Sequence, residues 1–194
     1  MSQTLEEQIA ELTDAIAADS ANSCLYYLRG SAWHRLNGNV KAIEDYDCAL
    51  ALNPASAETH NDRAVTLLHL GDDVAALAGF NEAVRCDPRH ALAYINRGDL
   101  RARRGEQATA LADYNTVIDF LTETLQSQPN DNHALTLRGA ARNRANHLEQ
   151  ALDDLNRAAR LLPDSGKVFR HRGEVLHKLG SHGEAIAHRR DSAW

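Results

Sequence analysis

Apolar residues recur three and four positions apart along the chain, in segments of about 13 residues, and the arrangement returns roughly every 34 residues. This spacing places the apolar side chains on one face of an α-helix. Glycine or asparagine, which favour helix ends, separates the two segments of each unit. The pattern predicts helix–turn–helix units with turns at Asn37-Gly38, Gly71-Asp72, Gly105-Glu106, Asn146-His147 and Gly180-Ser181.

A dipeptide of arginine and a small residue marks each unit. Its five copies are Arg29-Gly30, Arg63-Ala64, Arg97-Gly98, Arg138-Gly139 and Arg172-Gly173. An alanine follows twelve residues after each small residue, at Ala42, Ala76, Ala110, Ala151 and Ala185. We expect the small residue and the alanine to face each other across the turn, so that the two helix axes approach closely. A large apolar residue four positions after the alanine fills the next gap in four copies, and the fifth copy has Arg189 there.

These offsets, together with a proline that closes four of the units, resemble those of the tetratricopeptide repeat (TPR) family. The best copy is residues 57–90. The resemblance implies a single all-α domain, a right-handed α-solenoid of about ten or eleven helices. The expected parts are a capping helix at 1–22 and repeats at 23–56, 57–90, 91–131, 132–165 and 166–194.

Two units depart from the common length. Repeat 3 has seven extra residues within Val117–Gln128, which predicts a longer second helix that protrudes without disturbing the stacking. This extension is either an inert length variant or a contact surface formed by Phe120, Leu121 and Leu125. Repeat 5 reaches Trp194 before its second helix would finish, so Ile186 and Trp194 are expected to be partly exposed. Such exposure fits a dimer contact, a missing partner, or a frayed end with Trp194 folded back.

Composition narrows the classes of function. The formal net charge is −6, which argues against a general nucleic-acid binder. The acidic start and the short apolar stretches predict neither a signal peptide nor membrane insertion. The odd count of three cysteines favours a reducing, cytoplasmic compartment, with Cys24, Cys48 and Cys86 as small buried or half-buried side chains.

No enzymatic motif is present, and the ten histidines are scattered along the chain. We therefore predict no catalytic residue, no metal site and no cofactor. The arginines of three units are each followed sixteen residues later by an aspartate, as Arg29 with Asp45, Arg97 with Asp113, and Arg138 with Asp154. Since antiparallel helices bring these positions together, we expect structural ion pairs within a repeat or between neighbouring repeats.

In the TPR family, ligands usually lie in a concave groove lined by the first helix of each repeat. Transfer of those positions predicts a partner-binding groove formed by Tyr27, Ser31, His34, Asn61, Val65, Leu68, Ile95, Asn96, Asp99, Arg103, Thr136, Asn143, Arg144, Arg170 and His177. The expected function is a non-enzymatic scaffold, adaptor or assembly factor that binds a peptide or a helix of a partner protein. The alternative is a homo-oligomeric structural module that self-associates through its C-terminal end and the extended helix of repeat 3.

Overall fold

The computed structural model describes residues 4–191, with side chains described for residues 4–180. Ten α-helices and no strand occur within residues 4–191. Their bounds are α1 Leu5–Ala18, α2 Ser23–Arg35, α3 Asn39–Leu52, α4 Ala57–His69, α5 Asp73–Cys86, α6 Ala91–Arg103, α7 Gln107–Ser127, α8 Asn132–Arg144, α9 Leu148–Leu161 and α10 Gly166–Asp191.

The chain divides into two compact units, Met1–Leu100 and Arg101–Trp194. In the first unit, α2 pairs with α3 and α4 with α5, while α1 packs on α2 and α3 packs on α4. In the second unit, α8 pairs with α9, while α7 packs on α8 and α9 packs on α10. Each pair consists of two helices joined by a tight turn, and successive pairs pack on their neighbours in the chain. The predicted all-α repeat solenoid is confirmed.

Four of the five predicted turns share one backbone conformation. Their first residues have left-handed φ angles, 59° at Asn37, 82° at Gly71, 81° at Gly105 and 63° at Asn146. In each, the next residue donates its backbone N–H to the carbonyl five residues earlier, as Gly38 does to Trp33 at 2.8 Å. This bond is that of the Schellman motif, which satisfies a carbonyl at the helix end and reverses the chain.

The fifth predicted turn, at Gly180-Ser181, is wrong. Helix α10 continues through both residues to Asp191, and Gly180 does not have a positive φ. Glycine permits the left-handed conformation of a turn, but it also adopts helical angles. A glycine at the expected spacing therefore allows the turn without enforcing it.

Small residues bring paired helices together as expected. A Cβ atom added to Gly30 would lie 3.0 Å from the ring of Tyr46 and 3.1 Å from the carbonyl oxygen of Ala42. At Gly139, an added Cβ would lie 2.8 Å from Cγ of Leu155. The contact at Gly139 is closer than real Cβ atoms make, and the contacts at Gly30 are tighter than most, so a larger residue at either position would force its neighbours to shift.

The repeated arginine contacts the preceding repeat in all five copies. Each guanidinium donates a hydrogen bond to the side chain sixteen residues earlier, on the helix before it. The pairs are Arg29–Thr13, Arg63–Asp47, Arg97–Asn81, Arg138–Thr122 and Arg172–Asn156, at 2.6 to 3.1 Å. The arginine therefore ties each repeat to the one before it.

Two of the predicted arginine–aspartate pairs within a repeat are confirmed. Arg29 binds Asp45 through two hydrogen bonds of 2.9 and 2.7 Å. Arg138 binds Asp154 in the same forked manner, at 2.8 and 2.6 Å. Asp154 is 0% exposed and also accepts a 2.6 Å hydrogen bond from Arg142. The third expected pair, Arg97 with Asp113, stays a prediction.

The long helix α7 is packed along its added length. Phe120, Leu121 and Leu125 are buried, so they form no exposed contact surface, and the expectation that the added segment protrudes is wrong. Repeat spacing alone would pair Arg138 with Asn115, yet Arg138 binds Thr122, seven residues further along. Because seven residues are nearly two helical turns, Thr122 presents the same side of α7 as Asn115. Helix α8 therefore packs on α7 about two helical turns closer to the C-terminal end of α7 than the repeat spacing predicts.

The cysteines also differ from the expectation. Cys24 and Cys48 are exposed, and only Cys86 is half-buried. Cysteine is small enough to be tolerated on the outer side of a helix, so its usual preference for burial does not decide these positions.

Arg138 is more deeply buried than Arg63, so we expect its replacement to lower the free energy of unfolding more. We expect Arg138→Met to destabilise the fold by roughly 3 kcal/mol, because it strips a buried carboxylate of one of its two cationic partners. The matched change Arg63→Met removes an exposed ion pair and is expected to cost less than about 1 kcal/mol. Urea unfolding followed by circular dichroism measures both. Equal losses from the two changes would contradict this assignment.

Candidate partner-binding face

The candidate site in the first unit is one side of the first helices α2, α4 and α6. Side-chain caps fix where two of these helices begin. Asn22 accepts a hydrogen bond from the backbone N–H of Cys24, and Ser56 accepts one from Thr59. We call this side the unit-1 face, formed by Tyr27, Ser31, His34, Glu58, Asp62, Val65, Leu68, Asn96 and Asp99.

A hydrogen-bond network crosses the unit-1 face. The Tyr27 hydroxyl donates to Oδ2 of Asp62 at 3.0 Å, and Nδ2 of Asn61 donates to Oδ1 of Asp62 at 3.0 Å. Nδ2 of Asn96 donates to Oδ1 of Asn61, also at 3.0 Å. The network thus joins α2, α4 and α6 through polar side chains. It holds them in fixed orientations on a half-exposed surface.

Asp62 is the centre of this network. Burial raises the pKa of its carboxyl, although the hydrogen bonds from Tyr27 and Asn61 act in the opposite direction. Burial and the nearby carboxylates of Asp62 and Glu58 raise the pKa of Tyr27 as well. The tyrosine therefore remains a hydrogen-bond donor at every physiological pH.

Two histidines extend the face toward the ends of α2 and α4. The rings of His34 and His69 stack with centroids 4.9 Å apart. Thr66 donates its hydroxyl proton to the carbonyl of Asp62, so it accepts the 3.0 Å hydrogen bond from Nδ1 of His34. Burial and the neighbouring His69 lower the pKa of His34, which keeps this imidazole neutral.

Each unit also contains a pocket of about 400 Å³ beside the start of its first helices. Both pockets occupy the same place in the repeat, where the end of a second helix meets the starts of two first helices. The pocket of the first unit is lined by Ser23, Cys24, Tyr27, Ala49, Asn53, Ser56, Glu58 and Thr59. The pocket of the second unit is lined by Asp131, Asn132, His133, Thr136, Leu162, Ser165 and Lys167. Lys167 takes the place of Glu58, so the two pockets differ in charge.

The corresponding side of α8 and α10 in the second unit is basic. Arg170 is exposed and binds Glu174 at 2.9 Å. Lys178 donates to the carbonyl oxygen of Asn143 at 3.2 Å, and Arg144 donates to that of Ala140 at 3.2 Å. These contacts direct several cationic groups along one side of the helix pair.

The predicted groove residues divide by burial. Four are buried and pack between helices, namely Asn61, Ile95, Thr136 and Asn143. The others are half-buried or exposed, namely Tyr27, Ser31, His34, Val65, Leu68, Asn96, Asp99, Arg103, Arg144, Arg170 and His177. Sequence reasoning missed Asp62, although its place 35 residues after Tyr27 is the offset that joins first helices across neighbouring repeats.

We expect Tyr27→Phe to raise the pKa of Asp62 further, because the change removes a hydrogen bond that favours the ionised carboxylate. The matched change Tyr26→Phe, one residue earlier on α2, is expected to leave that pKa unchanged. Nuclear magnetic resonance titration of the Asp62 carboxyl carbon measures both. Because the folded pKa lies above the usual 3.8, the stability contributed by this group falls as pH rises through that interval. An Asp62 pKa that is unchanged or lower in the Tyr27→Phe variant would contradict the hydrogen-bond network.

Comparisons with known proteins agree with the repeat architecture. A thermophilic TPR protein of Thermus thermophilus superposes with a TM-score of 0.66 at 17% identity, over 89% of this chain and 91% of that chain. A TPR protein of Parabacteroides merdae gives 0.58 at 19% identity, over 94% of this chain and 70% of that chain. YrrB, described as a TPR protein with an unusual peptide-binding site, gives 0.51 at 20% identity, over 87% and 84%.

No helix within the described part of the chain is long and apolar enough to span a bilayer. No curated protein sequence matches the chain. The profile of the tetratricopeptide repeat family matches residues 35–91 and 136–190, which together are more than half of the sequence. The chain therefore belongs to the tetratricopeptide repeat family.

Proposed function

We propose that the protein is a non-enzymatic interaction module that binds an extended peptide or a helix of a partner protein on the side formed by its first helices. The observation that carries the proposal is the network of Tyr27, Asp62, Asn61 and Asn96, which fixes polar side chains on three adjacent helices. Oriented donors and acceptors beside half-buried Val65 and Leu68 suit a peptide, which presents both backbone polar groups and apolar side chains. The peptide-binding site described for YrrB, a protein of the same fold, supports this use of the fold.

The charges of the unit-1 face indicate the chemistry of its ligand. Glu58, Asp62 and Asp99 place three carboxyl groups on this face, whereas the corresponding side of the second unit is basic. We infer that the unit-1 face prefers a partner segment with lysine or arginine side chains. Glu58 lines the pocket of the first unit and is exposed, so it is the carboxylate best placed to meet such a cation.

We infer that a module with a peptide-binding side serves as a scaffold, adaptor or assembly factor. We place it in a reducing compartment such as the cytoplasm, because its three cysteines are unpaired.

The alternative function is self-association. Burial of Phe120, Leu121 and Leu125 removes the extended helix α7 as an apolar contact for a second copy. The C-terminal end retains an exposed apolar surface on α10, including Phe169 and Leu176, and this observation keeps self-association as a second candidate function.

We expect Glu58→Arg to weaken partner binding at least about tenfold, because it reverses a charge on the unit-1 face. The matched control is Glu44→Arg, a charge reversal at another exposed glutamate, on the second helix α3. Affinity capture from native extract, followed by calorimetric titration of the captured partner, compares wild type with both variants. Circular dichroism checks that both variants fold. Unchanged binding in Glu58→Arg, or equal losses in both variants, would exclude the unit-1 face as the site.

A further inference from the structure

Helix α10 has one buried side and one open side. Val168 and Val175 are 1% and 0% exposed, and Val175 packs into the core formed with Leu148, Ala151 and Leu155 of α9. The other side carries Phe169, Gly173 and Leu176, which follow one another at helical spacing. We call these three residues the α10 open face.

The α10 open face is apolar and uncovered. Phe169 and Leu176 are 46% and 43% exposed. A Cβ atom added to Gly173 meets no atom of the described residues within 4 Å. The glycine that packs against the second helix in other repeats therefore has no neighbouring atom of the described residues in α10.

The counterparts of Gly173 in the other first helices, Gly30, Ala64, Gly98 and Gly139, are all buried, and the counterparts of Phe169 and Leu176 are buried or half-buried. Leu135, the counterpart of Phe169 in α8, is 0% exposed, and Leu67, the counterpart of Leu176 in α4, is 8% exposed. Gly139, the counterpart of Gly173, lies against Leu155 of the second helix α9. At Gly30 and Gly139 the covering element is the second helix of the same repeat, α3 and α9. The α10 open face is therefore shaped to receive such a helix.

The sequence after Gly180 has the pattern of a second helix of the repeat. Ala185 follows Gly173 by twelve residues, as Ala42 follows Gly30, and Ile186 takes the place of Leu152 on α9. Leu152 packs against the core of its own repeat. In the structure, however, α10 runs without a turn to Asp191. Residues of one continuous helix cannot fold onto that helix's own side, so residues 181–191 cannot cover the α10 open face of the same copy.

We propose that residues 181–191 of a second copy cover the α10 open face, and that the exchange is reciprocal. The contact is the same helix pairing that the other repeats make within one chain, so no new surface is required. Exchange of an identical element between two copies is a low-cost route to a symmetric dimer. Gly180-Ser181, the position of the unused turn, is the hinge at which the exchanged segment would otherwise have folded back.

Position 189 departs from the pattern of the other second helices, because it is Arg189. The other second helices have Tyr46, Phe80, Tyr114 or Leu155 at this place in the repeat. An arginine in place of a large apolar residue contributes less apolar contact to a helix pairing. We therefore expect a dimer that is weaker than the pairing of α8 with α9.

Cross-linking between differently tagged chains tests the exchange directly. Cys24, Cys48 and Cys86 are first changed to serine. One chain then carries Gly173→Cys and the other carries Ala185→Cys, and the two are co-expressed under oxidising purification. Exchange predicts a disulfide-linked pair that contains both tags. Absence of that pair would overturn the proposal. So would a single chain with both cysteines that forms only an internal cross-link and remains monomeric, since the segment would then fold back onto its own copy.

Light scattering of unmodified variants gives an independent test. Wild type is expected to have twice the mass of one chain at high concentration, and Gly173→Leu is expected to raise the dimer dissociation constant at least tenfold because leucine fills the α10 open face. The matched control, Lys167→Leu, adds the same side chain on another side of α10 and is expected to leave the dimer intact. Circular dichroism verifies that both variants fold. A monomeric wild type at all concentrations, or equal effects of the two leucines, would overturn the exchange.

Discussion

Close approach of paired helices is the constraint on which this fold depends. In the pairs α2–α3 and α8–α9 it favours a glycine at one position of the first helix, because Tyr46 and Leu155 occupy the space that a larger side chain would need. The arginine beside each small residue reaches across to the preceding helix. The left-handed turn then fixes which side chains face one another. Packing, turn conformation and inter-repeat hydrogen bonds therefore recur at fixed places in the repeat.

The same spacing creates the polar side on which the proposed function rests. Residues 35 apart meet across neighbouring first helices, as Tyr27 with Asp62 and Asn61 with Asn96. Buried polar groups of this kind are stable only when their hydrogen bonds are satisfied, so each link constrains the next. The result is a surface whose donors and acceptors are already oriented before any partner arrives. Preorganisation of this type reduces the entropy that binding would otherwise cost.

Features that repeat could be predicted from the sequence, whereas features that occur once could not. The four turns at Asn37, Gly71, Gly105 and Asn146 were predictable because several independent copies carried the same signal. The continuous helix through Gly180 was not, since a lone glycine is compatible with both a turn and a helix. Burial of Asn61 and the role of Asp62 depend on side chains from three helices. No pattern along a single helix reveals such a contact.

The added segment of α7 shows how helix periodicity limits length variation in a repeat array. Seven residues advance an α-helix by nearly two whole turns, so the side that meets α8 is restored at Thr122 almost without rotation. An insertion of two residues would instead turn that side roughly halfway around the helix and carry Phe120, Leu121 and Leu125 away from their neighbours. An insertion in a second helix therefore preserves its contacts only when it adds close to a whole number of helical turns. The neighbouring first helix can then pack one or more whole turns further along, as α8 does on α7, but not at positions in between.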